Sequence, residues 1–214
     1  KENNNNINKS IDYLRKRGLS KAYKKSSRIA NEGAVGVFTN TNKILLIEIN
    51  TETDFSAKNE LFLNFLEKIA NFALNFNEPL DINKFMETEF ENKKISEYFT
   101  EIIAKIGENI ILRRCKLFVQ DKNTKLFSYI HNSYKKNIGK ICVALKIEID
   151  TQNEQTFQLG KNLCMQIAAL KPLSIDIETL DKNLIEKEKE IQLESIKSSG
   201  KIENILNKIL EGKM

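Results

Sequence analysis

Little in this sequence announces enzyme chemistry. Its 214 residues include one histidine, three cysteines, two prolines, eight glycines and no tryptophan. With a single His, any Ser/His or Cys/His mechanism has to run through His131, with Cys142 or Ser133 as the nucleophile. A G-x-x-x-x-G-K-[ST] phosphate loop is absent, because Gly139-Lys140 lacks the upstream Gly and the following Ser/Thr. There is also no G-x-G-x-x-G, no H-E-x-x-H and no nucleophile elbow. Cys115, Cys142 and Cys164 are odd in number and form no C-x-x-C, which argues against a disulfide framework or zinc site and for a reducing compartment. All three sit among apolar neighbours and read as core residues. No stretch approaches the ~18 uninterrupted apolar residues of a membrane-spanning helix. The chain begins at Lys1 with neither Met nor a signal-like apolar run, so it is expected to be cut from something longer.

What remains is a soluble globular balance, 41% hydrophobic and 29% charged. The 34 basic and 29 acidic side chains give a formal charge of +5, modest for a nucleic-acid binder. Basic charge concentrates in one place, where Arg15, Lys16, Arg17, Lys21, Lys24, Lys25 and Arg28 lie on a helical stretch over 8–30. That stretch is either a solvated linker helix or an RNA-binding module tracking phosphates.

The period then changes to two. Ala34 to Thr39 and Lys43 to Asn50 are β-rich runs around Asn40-Thr41-Asn42, a hairpin. From Ser56 the period is helical, with Phe62, Phe65, Leu66, Ile69, Phe72, Ala73 and Phe76 on one apolar stripe ended by Pro79. After a polar segment, Ile95 to Gly107 reads as a second amphipathic helix. Asn109 to Val119, Leu126 to His131 and Lys140 to Ile149 read as strands, and Phe157 to Leu170 as a helix stopped by Lys171-Pro172. Beyond Pro172, a Glu/Lys-rich helix over 180–197, the turn Ser198-Ser199-Gly200 and a last apolar-periodic stretch predict an antiparallel helical hairpin. The expected class is α+β: two antiparallel-sheet subdomains with packed helices plus the hairpin. The expected boundaries are 1–32 for an N-terminal remnant and basic linker, 33–123 and 124–179 for the subdomains, and 180–214 for the hairpin.

Two short features invite function. Gly33-Ala34-Val35-Gly36 has the spacing of the KH-domain G-x-x-G loop, but KH places that loop between helices and a strand follows here. More distinctive is Asn50-Thr51-Glu52-Thr53-Asp54-Phe55-Ser56-Ala57-Lys58-Asn59, an acidic strand-to-helix corner carrying a Phe outside the apolar stripe. Either Asp54 or Ser56 caps the helix and Phe55 folds into the core, or Phe55 is presented on a rigid corner for a partner's pocket.

Several blocks together resemble one family. Arg15-Lys16-Arg17-Gly18 through Lys21-Ala22-Tyr23-Lys24-Lys25 to Glu32-Gly33 is similar to the linker helix of translation elongation factor Ts. Thr53-Asp54-Phe55-Ser56-Ala57-Lys58-Asn59 resembles its T-D-F-V-A-[KR]-N signature. Lys105 to Ile110 with Leu112-Arg113-Arg114, Ser128-Tyr129-Ile130-His131, Met165 to Pro172 and Glu211 to Met214 resemble further blocks, in family order. The resemblance implies a guanine-nucleotide exchange factor, not an enzyme, that binds elongation factor Tu in its GDP-bound and nucleotide-free states. It implies no cofactor, catalytic residue or metal of the chain's own, no direct nucleotide binding, no membrane and no nucleic acid. Thr53, Asp54, Phe55 and Ser56 would dislodge Mg²⁺ from the partner, and Ile106, Gly107 and His131 would make further contacts. Ser56 stands where the family usually has Val. Most of the family's N-terminal domain, and a strand and helix that follow the hairpin, are expected to lie outside this chain. The implied setting is bacterial cytoplasm, or a mitochondrial or plastid matrix.

Overall fold

The structure is a computed structural model that describes residues 13, 18, 20, 22–77, 80–149 and 153–197. Among these, residues 22–25 are helical and lead through a turn into β1 (Glu32–Thr39) and β2 (Lys43–Thr51). Then follow α1 (Asp54–Ala57), α2 (Glu60–Ala73), α3 (Ile82–Glu87), β3 (Glu89–Phe90), β4 (Lys93–Lys94) and α4 (Ile95–Ile106). β5 (Ile111–Val119), β6 (Thr124–Lys135), β7 (Ile138–Glu148), α5 (Glu154–Leu170) and α6 (Lys182–Lys197) complete the order. The α+β expectation holds. The described residues fall into two compact units, divided between Ala169 and Leu170.

In the first unit the long strands form one antiparallel sheet in the order β5-β2-β1-β7-β6. β1 and β2 pair along their whole length, from Glu32↔Thr51 to Thr39↔Ile44, because both strands are rich in β-branched and aromatic residues. The strands expected in two subdomains share this single sheet through a short seam, Val35↔Gly139 and Gly36↔Ile138. Hydrophobic packing nevertheless stays in two clusters. The larger one joins β1, β2 and β5 to α2, α3 and α4, with Phe62, Leu66, Ile69, Phe85 and Ile95 at its centre. The smaller one joins Phe127 and Val143 of the sheet to Cys164 and Ala168 of α5. Gly36 lets α2 lie close on β1: a Cβ there would stand 3.0 Å from Leu66 Cδ2 and 2.5 Å from the Phe38 ring.

Several boundaries differ from expectation for local reasons. The stripe from Ser56 is two helices: Thr53 caps α1, and Asn59 interrupts the run by accepting the Leu61 N–H at 2.8 Å to start α2. α2 ends at Ala73, before Pro79, which lies outside the described residues, yet Phe76 still packs on the core. The polar segment that follows holds α3, capped by Asp81 and anchored by the buried Phe85. It also holds the β3–β4 hairpin, whose turn puts Glu91 and Asn92 at positive φ, 49° and 64°. β6 and β7 run to a two-residue turn at Lys136-Asn137 rather than ending near 131 and starting near 140.

The second unit's described part is an exposed segment with Leu173, Ile175 and Ile177 open to solvent, followed by α6. The expected turn at 198–200 and second hairpin helix lie outside the described residues, as do Asn3–Asn6, the 8–12 stretch and Arg15, Lys16, Arg17 and Lys21 of the basic cluster. No helix among the described residues is long and apolar enough to cross a membrane.

One packing detail gives a stability test. Gly160 of α5 sits against the Phe127 ring, and a Cβ there would meet Cδ1 and Cε1 at 2.5 Å. Gly160→Ala is expected to destabilise by about 1–3 kcal/mol, because the smaller cluster has to open to admit the methyl. Thermal melting checks this; an unchanged or higher melting temperature would mean that α5 is not seated on Phe127 as described.

Candidate functional site

The corner after β2 is built from the backbone outward. Thr51 is fully buried and donates its hydroxyl to the Thr53 carbonyl at 2.8 Å, turning the chain out of the sheet. Thr53 then caps α1, its Oγ1 accepting the Ser56 N–H at 3.3 Å. So the cap is Thr53, not Asp54 or Ser56. Ala57 is buried and pins this single turn to the core. Phe55 does not fold back; it is 84% exposed, among the most open of the large apolar side chains described. The ring therefore contributes little buried area to the fold, and its exposure leaves it accessible at the corner.

Asp54 and Lys58 pair at 3.0 Å one helical turn apart. The Lys58 hydrogen bond holds the Asp54 carboxyl below its usual range, and Asp54 in turn raises Lys58. Both groups are solvent-exposed, so the pair orients charge on the corner more than it stabilises the fold.

A second loop lies against the corner. α4 ends at Ile106, and Gly107 follows with φ 85°, its N–H donating to the Ile103 carbonyl at 2.8 Å. A Cβ at Gly107 would meet nothing within 4 Å, so the left-handed backbone, not space, is what asks for glycine. Ile106 is half-buried against the larger cluster and Gly107 is exposed. Glu108 and Glu52 bond across between the two loops, bringing Thr53–Ser56 together with Ile106–Gly107. Glu52 and Glu108 both fall inside stretches that stand out in the sequence, but no spacing signal announces that they bond between the two loops.

His131 is not brought to that pair of loops by any hydrogen bond described. It stands exposed on β6, separated from β2 in the sheet by β1 and β7, and its Nδ1 lies 3.2 Å from the Tyr129 hydroxyl. The side chains that a His-dependent mechanism would have to use are engaged elsewhere: Cys142 Sγ donates to the Val35 carbonyl at 3.2 Å, and the Ser133 hydroxyl donates to the Lys135 carbonyl at 2.8 Å. Burial pushes the Cys115 and Cys142 thiols up to about 12 and Cys164 to about 11. Cys164 is fully buried and the other two are half-buried. All three are therefore expected to react with iodoacetamide at pH 7.5 at least about 100-fold more slowly than in urea, since the thiolate is the nucleophile. One rapidly labelled cysteine in the native chain would revive the Cys/His hydrolase reading.

One other rival site weakens on geometry. Gly33–Gly36 lies inside β1 rather than in a loop between helices, so the KH arrangement is not formed. Arg28, at the end of the basic cluster, is drawn to Glu52 at 3.4 Å. Among the described residues no group of three or more His, Cys, Asp or Glu side chains is placed to hold a metal ion.

Comparison with known proteins agrees with the corner's sequence signature. A family model described as Elongation factor TS matches residues 52–214. An elongation factor Ts of Paracoccus denitrificans (strain Pd 1222) is 38% identical over 213 residues, all of this chain and 70% of that relative. One of Caulobacter sp. (strain K31) is 39% identical over 217 residues, again the whole chain and 69% of the relative. One of Gluconobacter oxydans (strain 621H) is 36% identical over 204 residues, 95% of this chain and 67% of the relative. With a family match over most of its length and such relatives across nearly all of it, the chain belongs to the elongation factor Ts family of translation elongation factors.

Proposed function

We propose that this chain is a guanine-nucleotide exchange factor that binds elongation factor Tu in its GDP-bound and nucleotide-free states and promotes GDP release. The observation that carries the reading is Phe55, an aromatic ring held in water on a capped, core-pinned corner. In this reading Thr53, Asp54, Phe55 and Ser56 enter the partner beside its nucleotide site. GTPases hold nucleotide through phosphate contacts and a Mg²⁺ bridging phosphate oxygens and side chains. Mg²⁺ needs near-ideal octahedral geometry, so a small displacement of its surroundings by an inserted Phe and a nearby carboxylate weakens it sharply. Coupling is reciprocal: the factor loosens GDP, and nucleotide loosens the factor by the same ratio. No bond in the substrate is made or broken by the factor, so it acts without catalytic residues or a cofactor of its own. The bacterial relatives support a cytoplasmic setting.

The test is direct. Mixing the chain with elongation factor Tu loaded with fluorescent GDP is expected to accelerate loss of the label's signal in excess unlabelled nucleotide. Release at the spontaneous rate over all factor concentrations would overturn the proposal.

Ile106, Gly107 and His131 are assigned docking rather than displacement. His131 is exposed, and its ring lies within hydrogen-bond distance of Tyr129, two residues earlier on the same strand. His131→Ala is therefore expected to weaken the complex modestly, by about threefold to tenfold in Kd, with little change in melting temperature. Calorimetric titration against nucleotide-free elongation factor Tu checks the first part; an unfolded variant would make His131 structural.

A further inference from the structure

Two acidic side chains exchange partners between the loops described above. Glu108 follows Gly107 in the chain, yet its carboxylate serves the other loop. Its Oε2 accepts the N–H groups of Glu52 and Thr53, each at 3.1 Å, and its Oε1 accepts the Thr53 hydroxyl at 2.8 Å. Glu52 returns the arrangement, its Oε1 accepting the Asn109 N–H at 2.6 Å while Oε2 faces Arg28. Asn109 is buried and donates its side-chain amide to the Arg28 carbonyl at 2.7 Å, tying the end of the basic segment to the same place.

This arrangement bears on Phe55 through one atom. The Thr53 hydroxyl donates to Glu108 and accepts from the Ser56 N–H, so the cap that orients α1 is itself oriented by Glu108. Phe55 is almost wholly exposed, so the backbone of that four-residue turn sets the direction in which its Cα–Cβ bond leaves the corner. We propose that Glu108 is a positioning residue for nucleotide exchange, setting the direction in which Phe55 leaves the corner and joining that corner to the Ile106–Gly107 loop as one docking body. The proposal rests on the exchange-factor reading given above.

The chemistry suits the task. Hydrogen bonds to an ionised carboxylate are shorter and stronger than neutral ones, and three of them converge here from one side. Burial would raise the Glu108 carboxyl, but hydrogen bonds from the Ser56 and Thr53 hydroxyls and from the Thr53 and Glu52 N–H groups outweigh it and hold the group below its usual range. The carboxylate is thus charged throughout the neutral range. An aspartate would fall one methylene short of these donors. Glutamine keeps the length, with a carbonyl oxygen for the two N–H groups and an amide that can donate to the Thr53 oxygen.

The experiment compares wild type, Glu108→Ala and Glu108→Gln in stopped-flow release of labelled GDP from elongation factor Tu over a range of factor concentrations. Thermal melting runs alongside, as does fluorine NMR of chain labelled with fluorophenylalanine. The Phe55 resonance is identified by its loss in Phe55→Leu. Glu108→Ala is expected to lower the plateau rate roughly tenfold or more, since misplacing a positioned group by about 1 Å is that costly. Its half-saturating concentration should rise less than the plateau falls, and its Phe55 resonance should shift or broaden. Glu108→Gln should recover most of the plateau rate. Wild-type plateau rates in Glu108→Ala would overturn the proposal. So would a loss that only tracks the folded fraction with the Phe55 resonance unmoved, which would leave Glu108 purely structural. A wild type that fails to accelerate release overturns the exchange reading instead, and the fluorine signal then decides alone whether Glu108 sets the direction of Phe55.

Discussion

Phe55→Ala is expected to slow factor-driven GDP release from elongation factor Tu by at least roughly tenfold at limiting factor, with the chain's melting temperature unchanged. The ring is 84% exposed, so its truncation leaves no cavity and removes almost no buried area. Exposed substitutions of this kind usually stay within about 0.5 kcal/mol of the parent's stability. In the complex the same ring would be an aromatic anchor, and truncating such an anchor costs about 2 kcal/mol or more. Since about 1.4 kcal/mol is a factor of ten, the loss of exchange should exceed one decade. Stopped-flow release of labelled GDP beside thermal melting reads both quantities in one preparation. Unchanged exchange with a large fall in melting temperature would put Phe55 in the core and remove the observation on which the function rests.

The second large effect is its opposite. Phe62 stands seven positions further along, on α2, fully buried in the larger cluster. Phe62→Ala is expected to destabilise by about 3–5 kcal/mol, the transfer term plus the cavity that β1, β2 and α4 cannot close. For a chain of this size each kcal/mol moves the melting temperature by about 2–4 °C, so a fall on the order of 10 °C should be seen. The folded fraction should still drive exchange, because α1 and its cap do not depend on the Phe62 ring for their hydrogen bonds. A melting temperature within a degree or two of the parent would show that α2 does not pack its stripe into the sheet.

The contrast between these two phenylalanines marks where a one-dimensional reading reaches and where it stops. The helical period from Phe62 to Ala73 specifies a buried face by itself, because only one side of a helix repeats at three and four residues. The hairpin of β1 and β2 was legible in the same way, from two β-rich runs either side of a polar turn. α3 and the β3–β4 hairpin were not, since six-residue and two-residue elements are too short to show a period. Their signals were single residues, the Asp81 cap and an Asn92 that tolerates left-handed backbone.

At the site, the order of blocks along the chain named the family and pointed to Thr53–Ser56, Ile106, Gly107 and His131. Local physics alone left Phe55 open between core and surface, because a lone aromatic beside a cap fits both, and the resemblance set the expectation of an exposed ring. Three-dimensional packing decided this: Ala57, not Phe55, fills the space beneath the corner. The exchange of Glu52 and Glu108 between two loops more than fifty residues apart in sequence has no local signature at all. Local periods and caps act within a few residues and are written in the chain, whereas a carboxylate's choice among distant N–H groups depends on which loops the sheet brings side by side. Sequence alone therefore determined the longer elements and the family, and only the tertiary structure decided the short elements, the single shared sheet, which way the Phe55 corner faces and what holds it there.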